Sequence, residues 1–204
     1  DGTNTWNLTG ANSGTVTDVT GTFSAIENLT GGTGADTFNI ASGATLTGAI
    51  AGGLGTDTLT QADGANTWTI TAADTGTVTD VTAGFSAIEN LTGGTGVDAF
   101  TLFNGGSLTG TLSGGTSNDS LTYDEAYNGN VTVNLQTGAA TATGGFASIE
   151  SFNADSGQSN TLVGANAANT WNVTGAGTGN IGGTITFTDF TTLTGGTAGD
   201  DFVF

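Results

Sequence analysis

Residues 23–32 read FSAIENLTGG, and the same ten residues return without change at 85–94. A drifted third copy begins FASIE at 146–150. The first two copies are 62 residues apart, and Asn4-Thr5-Trp6 returns as Asn66-Thr67-Trp68 at the same distance. A fixed period of this kind is typical of stacked supersecondary units, so the repeat predicts a repetitive architecture.

A shorter period lies inside the longer one. An apolar residue followed by a turn of small residues recurs every 19 to 21 residues. The 62-residue unit is therefore predicted to hold three coils, and the early return of Asn-Thr-Trp at 169–171 indicates that a later unit has lost one coil. The members of this first apolar column are Leu8, Leu29, Ile50, Ile70, Leu91, Leu112, Val133, Phe152, Val173 and Leu193.

A second apolar column follows each turn. Around it the residues alternate with a period of two, as in Thr58-Leu59-Thr60, which is typical of a strand with one buried face. No apolar stripe of helical period appears, so no helix is expected. The members of the second column are Val16, Phe38, Leu59, Val78, Phe100, Leu121, Leu162, Ile181 and Phe202, with a weak member near Ala142.

These patterns predict an all-β fold, a single parallel β-solenoid over residues 1–204. A unit of about 20 residues is too small to fold alone, whereas stacking equivalent strands about 4.8 Å apart satisfies the backbone and buries one apolar column. The period gives about ten coils of about 20.5 residues. The twist of β-strands favours a right-handed coil.

The composition excludes several functions. The chain has 18 acidic residues, no Lys, Arg or His, and no Cys. Nucleic acids and anionic membrane surfaces need basic patches, so neither is an expected partner. No run of 18 apolar residues exists, so no membrane insertion is expected. Because His, Cys, Lys and Arg are all missing and no long loops are available to build a cleft, we expect no enzyme activity.

A glycine-rich turn with one aspartate recurs between the two columns. It reads GGTGADTF at 31–38, GGLGTDTL at 52–59 and GGTGVDAF at 93–100, with looser copies at 114–121 and 195–202. Glycines adopt the positive φ values that aim carbonyl oxygens inward, and the Asp adds a charged oxygen. Calcium takes six to eight oxygens, so two neighbouring turns could share one ion. The predicted pairs are Asp36 with Asp57 and Asp98 with Asp119.

This turn resembles the G-G-x-G-x-D-x-U-x nonapeptide of the RTX (repeats-in-toxin) β-rolls of bacterial secreted and surface proteins. The resemblance implies Ca²⁺ between successive coils, although here the motif occurs once per coil and the row of carboxylates is broken. An alternative is that Gly-Gly and Asp form tight turns in which the carboxylate caps nearby N–H groups. The implied metal residues are Asp36, Asp57, Asp98, Asp119, Asp200, Gly31, Gly32, Gly34, Gly52, Gly53, Gly55, Gly93, Gly94, Gly96, Gly114 and Gly115.

Three further features of the sequence bear on its function. Outward Thr pairs (Thr15/Thr17, Thr58/Thr60, Thr77/Thr79 and Thr141/Thr143) resemble the rows of ice-binding β-solenoids, which makes an ice- or glycan-binding solenoid the alternative function. Trp6, Trp68 and Trp171 each stand two residues before an anchor, which favours a place in the core. The N-x-[ST] sequons at Asn7, Asn28, Asn90, Asn118, Asn130 and Asn172 follow the repeat, so repeat structure explains them better than glycosylation.

The sequence thus favours a structural role. It begins and ends in mid-repeat, which predicts a segment of a longer chain or a subunit that stacks end to end. We expect a rigid, calcium-stiffened stalk or fibre of a bacterial surface protein or adhesin, secreted or exposed on the cell surface. The expected partners are further copies or adjacent repeats of the same chain.

Overall fold

The computed structural model describes residues 2–204. All the regular secondary structure in that range is β-strand. The predictions of an all-β fold and of a parallel β-solenoid are confirmed. The strands are β1 Thr5–Gly10, β2 Ser13–Val16, β3 Phe23–Ser24, β4 Leu29–Gly32, β5 Thr37–Ile40, β6 Ile50–Gly53, β7 Thr58–Gln61, β8 Thr67–Ala72, β9 Thr75–Val78, β10 Val81–Ser86, β11 Asn90–Thr92, β12 Ala99–Leu102, β13 Thr111–Ser113, β14 Ser120–Tyr123, β15 Thr132–Asn134, β16 Ala139–Ala140, β17 Gly145–Ala147, β18 Ser151–Asn153, β19 Thr161–Val163, β20 Thr170–Gly175, β21 Thr178–Ile181, β22 Ile185–Thr188, β23 Thr192–Thr194 and β24 Asp201–Val203.

The strands form two facing layers. Sheet 1 has eight strands in the order β17-β13-β11-β7-β5-β1-β2-β3, and sheet 3 has four in the order β16-β15-β19-β23. The Phe146 N–H in β17 donates to the Gly138 carbonyl beside β16 at 2.7 Å, so sheets 1 and 3 continue each other. Sheet 2 has twelve strands in the order β24-β20-β21-β22-β18-β14-β12-β8-β9-β10-β6-β4 and forms the other layer.

Antiparallel meanders interrupt the coiling. In β1–β3, β8–β10 and β20–β22 the chain runs back and forth in one sheet before it crosses to the other. The first hairpin turns hold Asn12 and Asp74 at positive φ (48° and 50°), where short polar side chains are tolerated. Strand β16 pairs antiparallel to β15 and forms a shorter meander with β17.

The meanders overturn part of the predicted second column. Val16, Val78 and Ile181 lie in the middle, antiparallel strands of their meanders, and Ala142 follows β16. The prediction that they continue a parallel column is therefore wrong. The alternation of apolar and polar residues is the same in both kinds of strand, so the pattern alone could not separate them.

The predicted coil number and length are also wrong. The solenoid has about six turns of about 31 residues, against the predicted ten turns of 20.5. Hydrogen-bonded partners on neighbouring coils are 21 residues apart where no meander intervenes, as for Ala49 and Asn28, and 32 apart across a meander, as for Asn39 and Asn7. Each 62-residue unit circles the solenoid twice, and its third 20-residue segment is a meander that widens one sheet.

The units alternate between the layers. Strands β1–β7 and β8–β14 are equivalent sets of seven. The three meander strands share a sheet, so the chain crosses between the layers five times per unit, and residues 62 apart lie in opposite sheets. Phe38 in β5 is in sheet 1, whereas its equivalent Phe100 in β12 is in sheet 2. The third unit has five strands, β15–β19, so it lacks the two strands of one turn.

The core is one apolar column between the layers. Phe38, Phe100 and Leu121 are fully buried in it. Trp68 and Trp171 are also fully buried, which confirms their predicted place in the core, and Trp68 stacks on Phe100 with ring centroids 5.4 Å apart. Trp6, nearer the end of the solenoid, is half-buried and stacks on Phe38.

Candidate functional site: two ladders of buried carboxyl groups

The predicted metal-binding aspartates share one position in the fold. Each stands directly before a strand: Asp36 before β5, Asp57 before β7, Asp98 before β12, Asp119 before β14 and Asp200 before β24. The first four side chains are almost completely buried. The structure brings together both predicted pairs, because β5 pairs with β7 and β12 with β14.

The first carboxyl ladder runs along the edge where strands of sheet 1 begin. The Asn4 N–H donates to Asp36 Oδ1 at 2.7 Å, and the Asp36 N–H donates to Asp57 Oδ1 at 2.7 Å. The Asp57 N–H then donates to Glu89 Oε2 at 2.6 Å. Each carboxyl therefore accepts a hydrogen bond from a backbone N–H on the neighbouring coil. The alternative prediction, that the carboxylate caps N–H groups, is met between coils and not within one turn.

The second carboxyl ladder repeats this pattern on sheet 2. The N–H groups of Asn66, Asp98 and Asp119 donate to Asp98 Oδ1, Asp119 Oδ1 and Glu150 Oε2 at 3.0, 2.7 and 2.9 Å. Asp200 lies apart from both ladders and accepts from the Asn169 N–H at 3.1 Å.

Sequence reasoning missed the two ends of each ladder. The Asn members, Asn4 and Asn66, and the Glu members, Glu89 and Glu150, carry no glycine-rich turn. Their recurrence in the 62-residue repeat was the signal that could have found them.

The first glycine of each turn makes room for the carboxyl. A β-carbon on Gly52 would collide with Asp57 Oδ2 and with the Ala87 carbonyl oxygen, and one on Gly114 would collide with Asp119 Oδ2 and the Ser148 carbonyl oxygen. The second glycine has the positive φ that the motif predicts, for example 107° at Gly53. The Gly-Gly pair is thus explained by the buried carboxyl and the turn together.

One oxygen of each ladder aspartate has no partner. Oδ2 of Asp36, Asp57, Asp98 and Asp119 is buried and accepts no hydrogen bond from residues 2–204. Desolvation raises the pKa of Asp57, Asp98 and Asp119 above the ordinary 3.8, against the lowering effect of the N–H donors. The half-buried Asp200 differs, because hydrogen bonding from the Asn169 side chain lowers its pKa.

Asn160 indicates which backbone group lies near the unpaired Oδ2 of a ladder aspartate. It stands before β19 in the position of a ladder aspartate, and its Oδ1 accepts the Val131 N–H at 2.8 Å. Its Nδ2 donates to the carbonyls of Asp155 and Asp189 at 2.6 and 2.9 Å. Asp189 holds the place that Ala87 holds beside Asp57. Where Asn160 offers a donor to that carbonyl, an ionised Asp57 offers a second acceptor, so its Oδ2 needs a hydrogen-bond donor or a cation.

The oxygen atoms of these turns are of the kind that calcium binds, but each turn offers fewer of them than calcium needs. Each turn offers one free carboxylate oxygen with backbone carbonyls near it, whereas calcium takes six to eight ligands. Within residues 2–204 no three acidic side chains gather around one point. Calcium binding therefore stays a prediction.

The raised pKa values predict acid stabilisation. The folded chain binds protons at Asp57, Asp98 and Asp119 more tightly than the unfolded chain does. The free energy of unfolding should therefore rise as the pH falls from 7 through the raised values, and the gain should be complete near 3.8. Urea titrations at pH 7, 6, 5 and 4, in roughly 0.5 M NaCl to screen surface repulsion, measure this. A midpoint that falls steadily over this range would contradict it.

The outward Thr residues do not form an unbroken array. Thr17, Thr79 and Thr141 accept backbone N–H groups from the first strand of their meanders at 2.8 to 2.9 Å, so their hydroxyls are engaged within the fold. On sheet 2 the row Thr69, Thr101 and Thr122 continues with Asn153. Among the sequons, Asn28 and Asn90 use Oδ1 to accept N–H groups of the next coil.

Comparisons with protein-family models, with curated proteins and with solved structures found no match. No helix within residues 2–204 is long and apolar enough to span a membrane. The features that bear on function are therefore the solenoid and its carboxyl ladders.

Proposed function

We propose that this chain is a structural repeat module, a rigid stretch of the stalk or fibre of a bacterial surface protein or adhesin. The observation that carries the proposal is the continuous pair of layers, in which each coil contacts its neighbours through backbone ladders and buried carboxyl groups. Twelve strands at the usual spacing give a rod about 53 Å long. Such a module would add length and stiffness to a stalk or fibre.

The location outside the cell and the role of calcium belong to the same proposal. A chain with 18 acidic residues and no Lys or Arg offers no site to trypsin-like proteases, which suits an exposed position. A cation at the free Oδ2 atoms would tie neighbouring coils together, and calcium is the cation that the turn motif predicts. The broken Thr row supplies no observation in favour of ice or glycan binding.

Small-angle X-ray scattering with and without calcium tests this function. We expect an elongated particle in about 10 mM CaCl₂, a concentration above the range of weak extracellular sites. If calcium stiffens the rod, thermal unfolding in EDTA should occur at a lower temperature, and MgCl₂ at the same concentration is the matched control. A compact or disordered particle in both conditions would contradict the structural role.

A further inference from the structure

A pocket lies beside the last meander, β20–β22. Its volume is about 390 Å³, which is within the range of sites for small molecules. Strands β21 and β22 have hydrogen-bonded neighbours on both sides, so the opening is internal to sheet 2. The short meander β15–β17, the connection after it and the last meander together supply five apolar side chains to its wall: Leu135, Phe146, Ile149, Ile181 and Ile185.

The missing turn of the third unit explains why the pocket is open. In the second meander, β8–β10, strand β10 pairs with β6, and the connection 41–49 before β6 carries Leu46 onto Val81 in a parallel bridge. Both of these side chains are buried. In the last meander β22 pairs with β18, and only residues 148–150 connect β17 to β18. In the part of the chain that the structure describes, no residue therefore takes the place of Leu46 over the end of β21 and the start of β22.

Two glycines remove a second cover from the same region. The stretches TLTQADGANTW and TLVGANAANTW, which lead into β8 and β20, are equivalent, so Gly164 stands in the place of Gln61. Gly183, two residues after β21, stands in the place of Asp80, two residues after β9. In the second meander Gln61 Nε2 donates to Asp80 Oδ2 at 3.2 Å and joins the two segments. The last meander has neither of these side chains, and both glycines are next in sequence to residues that line the pocket.

Two polar side chains at the pocket have acceptor atoms to spare. Glu150 uses Oε2 to accept the Asp119 N–H at 2.9 Å, and its Oε1 accepts no hydrogen bond from residues 2–204. Asn169 uses Nδ2 to donate to the carbonyls of Ala165 and Ala167 at 2.9 and 2.7 Å, and its Oδ1 accepts none from the same residues. The chain has no basic side chain to pair with the carboxylate, and its formal charge of −18 repels anions. A fitting occupant therefore brings a positive charge together with an apolar body.

We propose that this pocket binds small organic cations, with an ammonium group at Glu150 and an apolar body against Phe146 and the three isoleucines. Burial of the apolar body supplies most of the affinity, and the charge-assisted hydrogen bond to Glu150 fixes the orientation. This binding site goes beyond the structural role proposed above and does not depend on it or on calcium.

Titration of the 204-residue chain with phenethylammonium chloride, followed by the isoleucine methyl signals in NMR, tests the site. The buffer contains roughly 0.15 M NaCl to screen the general attraction of cations to an acidic surface. We expect saturable shifts at Ile149, Ile181 and Ile185, and none at Ile50, which is buried elsewhere in the core. Phenethyl alcohol and hydrocinnamate, which carry the same ring with a neutral and an anionic head, should bind at least about tenfold more weakly.

Two pairs of variants locate the contact. Glu150→Gln keeps an acceptor for the Asp119 N–H but removes the charge, and should raise the dissociation constant of phenethylammonium about tenfold. Glu89→Gln makes the same change at the equivalent place in the first carboxyl ladder and should leave the constant unchanged. Ala165→Leu fills the pocket and should abolish the isoleucine shifts, whereas its equivalent Ala62→Leu should preserve them.

Three results would overturn the proposal. The first is a set of shifts that does not saturate or that spreads over all the isoleucines. The second is equal affinity for phenethylammonium and phenethyl alcohol, and the third is a Glu150→Gln chain that binds the cation as tightly as the wild type. None of them bears on the elongated particle expected of the structural module.

Discussion

Replacing Asp57 by Asn should raise the free energy of unfolding at pH 7 by about 2 kcal/mol, the order of one relieved buried polar group. The Asn keeps Oδ1 as acceptor for the Asp36 N–H and removes a buried charge that no Lys, Arg or His side chain is present to neutralise. Its new Nδ2 can donate to the Ala87 carbonyl, as Nδ2 of Asn160 donates to the Asp189 carbonyl. Urea unfolding followed by circular dichroism measures the gain.

Two comparisons isolate this effect. Asp18→Asn removes one exposed charge and should change stability little, which separates burial from the reduction in net charge. Asp57→Ala removes the acceptor as well, leaves the Asp36 N–H without its bond, and should be destabilising. If Asp57→Asn proved less stable than the wild type in calcium and equal to it in EDTA, the carboxylate would be serving a metal.

Replacing Gly52 by Ala should lower the free energy of unfolding by about 3 kcal/mol, at the upper end of overpacking effects. The added β-carbon would overlap the Ala87 carbonyl oxygen and Asp57 Oδ2. The first belongs to the backbone of the neighbouring coil and the second is held by the ladder, so neither can move without separating the coils. Thermal or urea unfolding at pH 7 would show the loss.

The control for this substitution is Gly199→Ala. Gly199 lies in the Asp200 turn, and a β-carbon there would meet no atom within 4 Å. We expect it to unfold within about 0.5 kcal/mol of the wild type, as usual for surface changes. A Gly52→Ala chain as stable as Gly199→Ala would mean that the coils are not packed as closely as described here.

The architecture could be predicted from the sequence down to the level of the strand. The 62-residue recurrence and the alternation around residues such as Leu59 indicated stacked strands and a single core. The path between them could not be predicted, because Val78 in an antiparallel meander and Leu59 in a parallel strand have the same local pattern. The direction of a strand depends on whether the preceding turn reverses the chain, and in the first meanders that turn is only two residues long, as at Ala73-Asp74.

The sequence predicted the residues of the candidate site better than it predicted the contacts that they make. The motif indicated Asp36, Asp57, Asp98 and Asp119 as a set, and the structure places them on neighbouring coils. Their partners are backbone N–H groups up to 32 residues away, and no local motif describes that contact. The role of Glu89 as an acceptor for the Asp57 N–H follows from the 62-residue repeat together with the pairing of β7 and β11.

The most direct test of the ladder account is a carbon-13 NMR titration of the side-chain carboxyl groups, with Asp57 and Asp119 assigned through their Asn variants. In EDTA, both should titrate above 3.8, whereas Asp200 should titrate below it. Added calcium should leave the two high pKa values in place if a proton serves the free oxygen, and should lower them if the ion does. Titration of Asp57 and Asp119 at or below 3.8 in EDTA would contradict the account of buried, partnerless carboxyl groups.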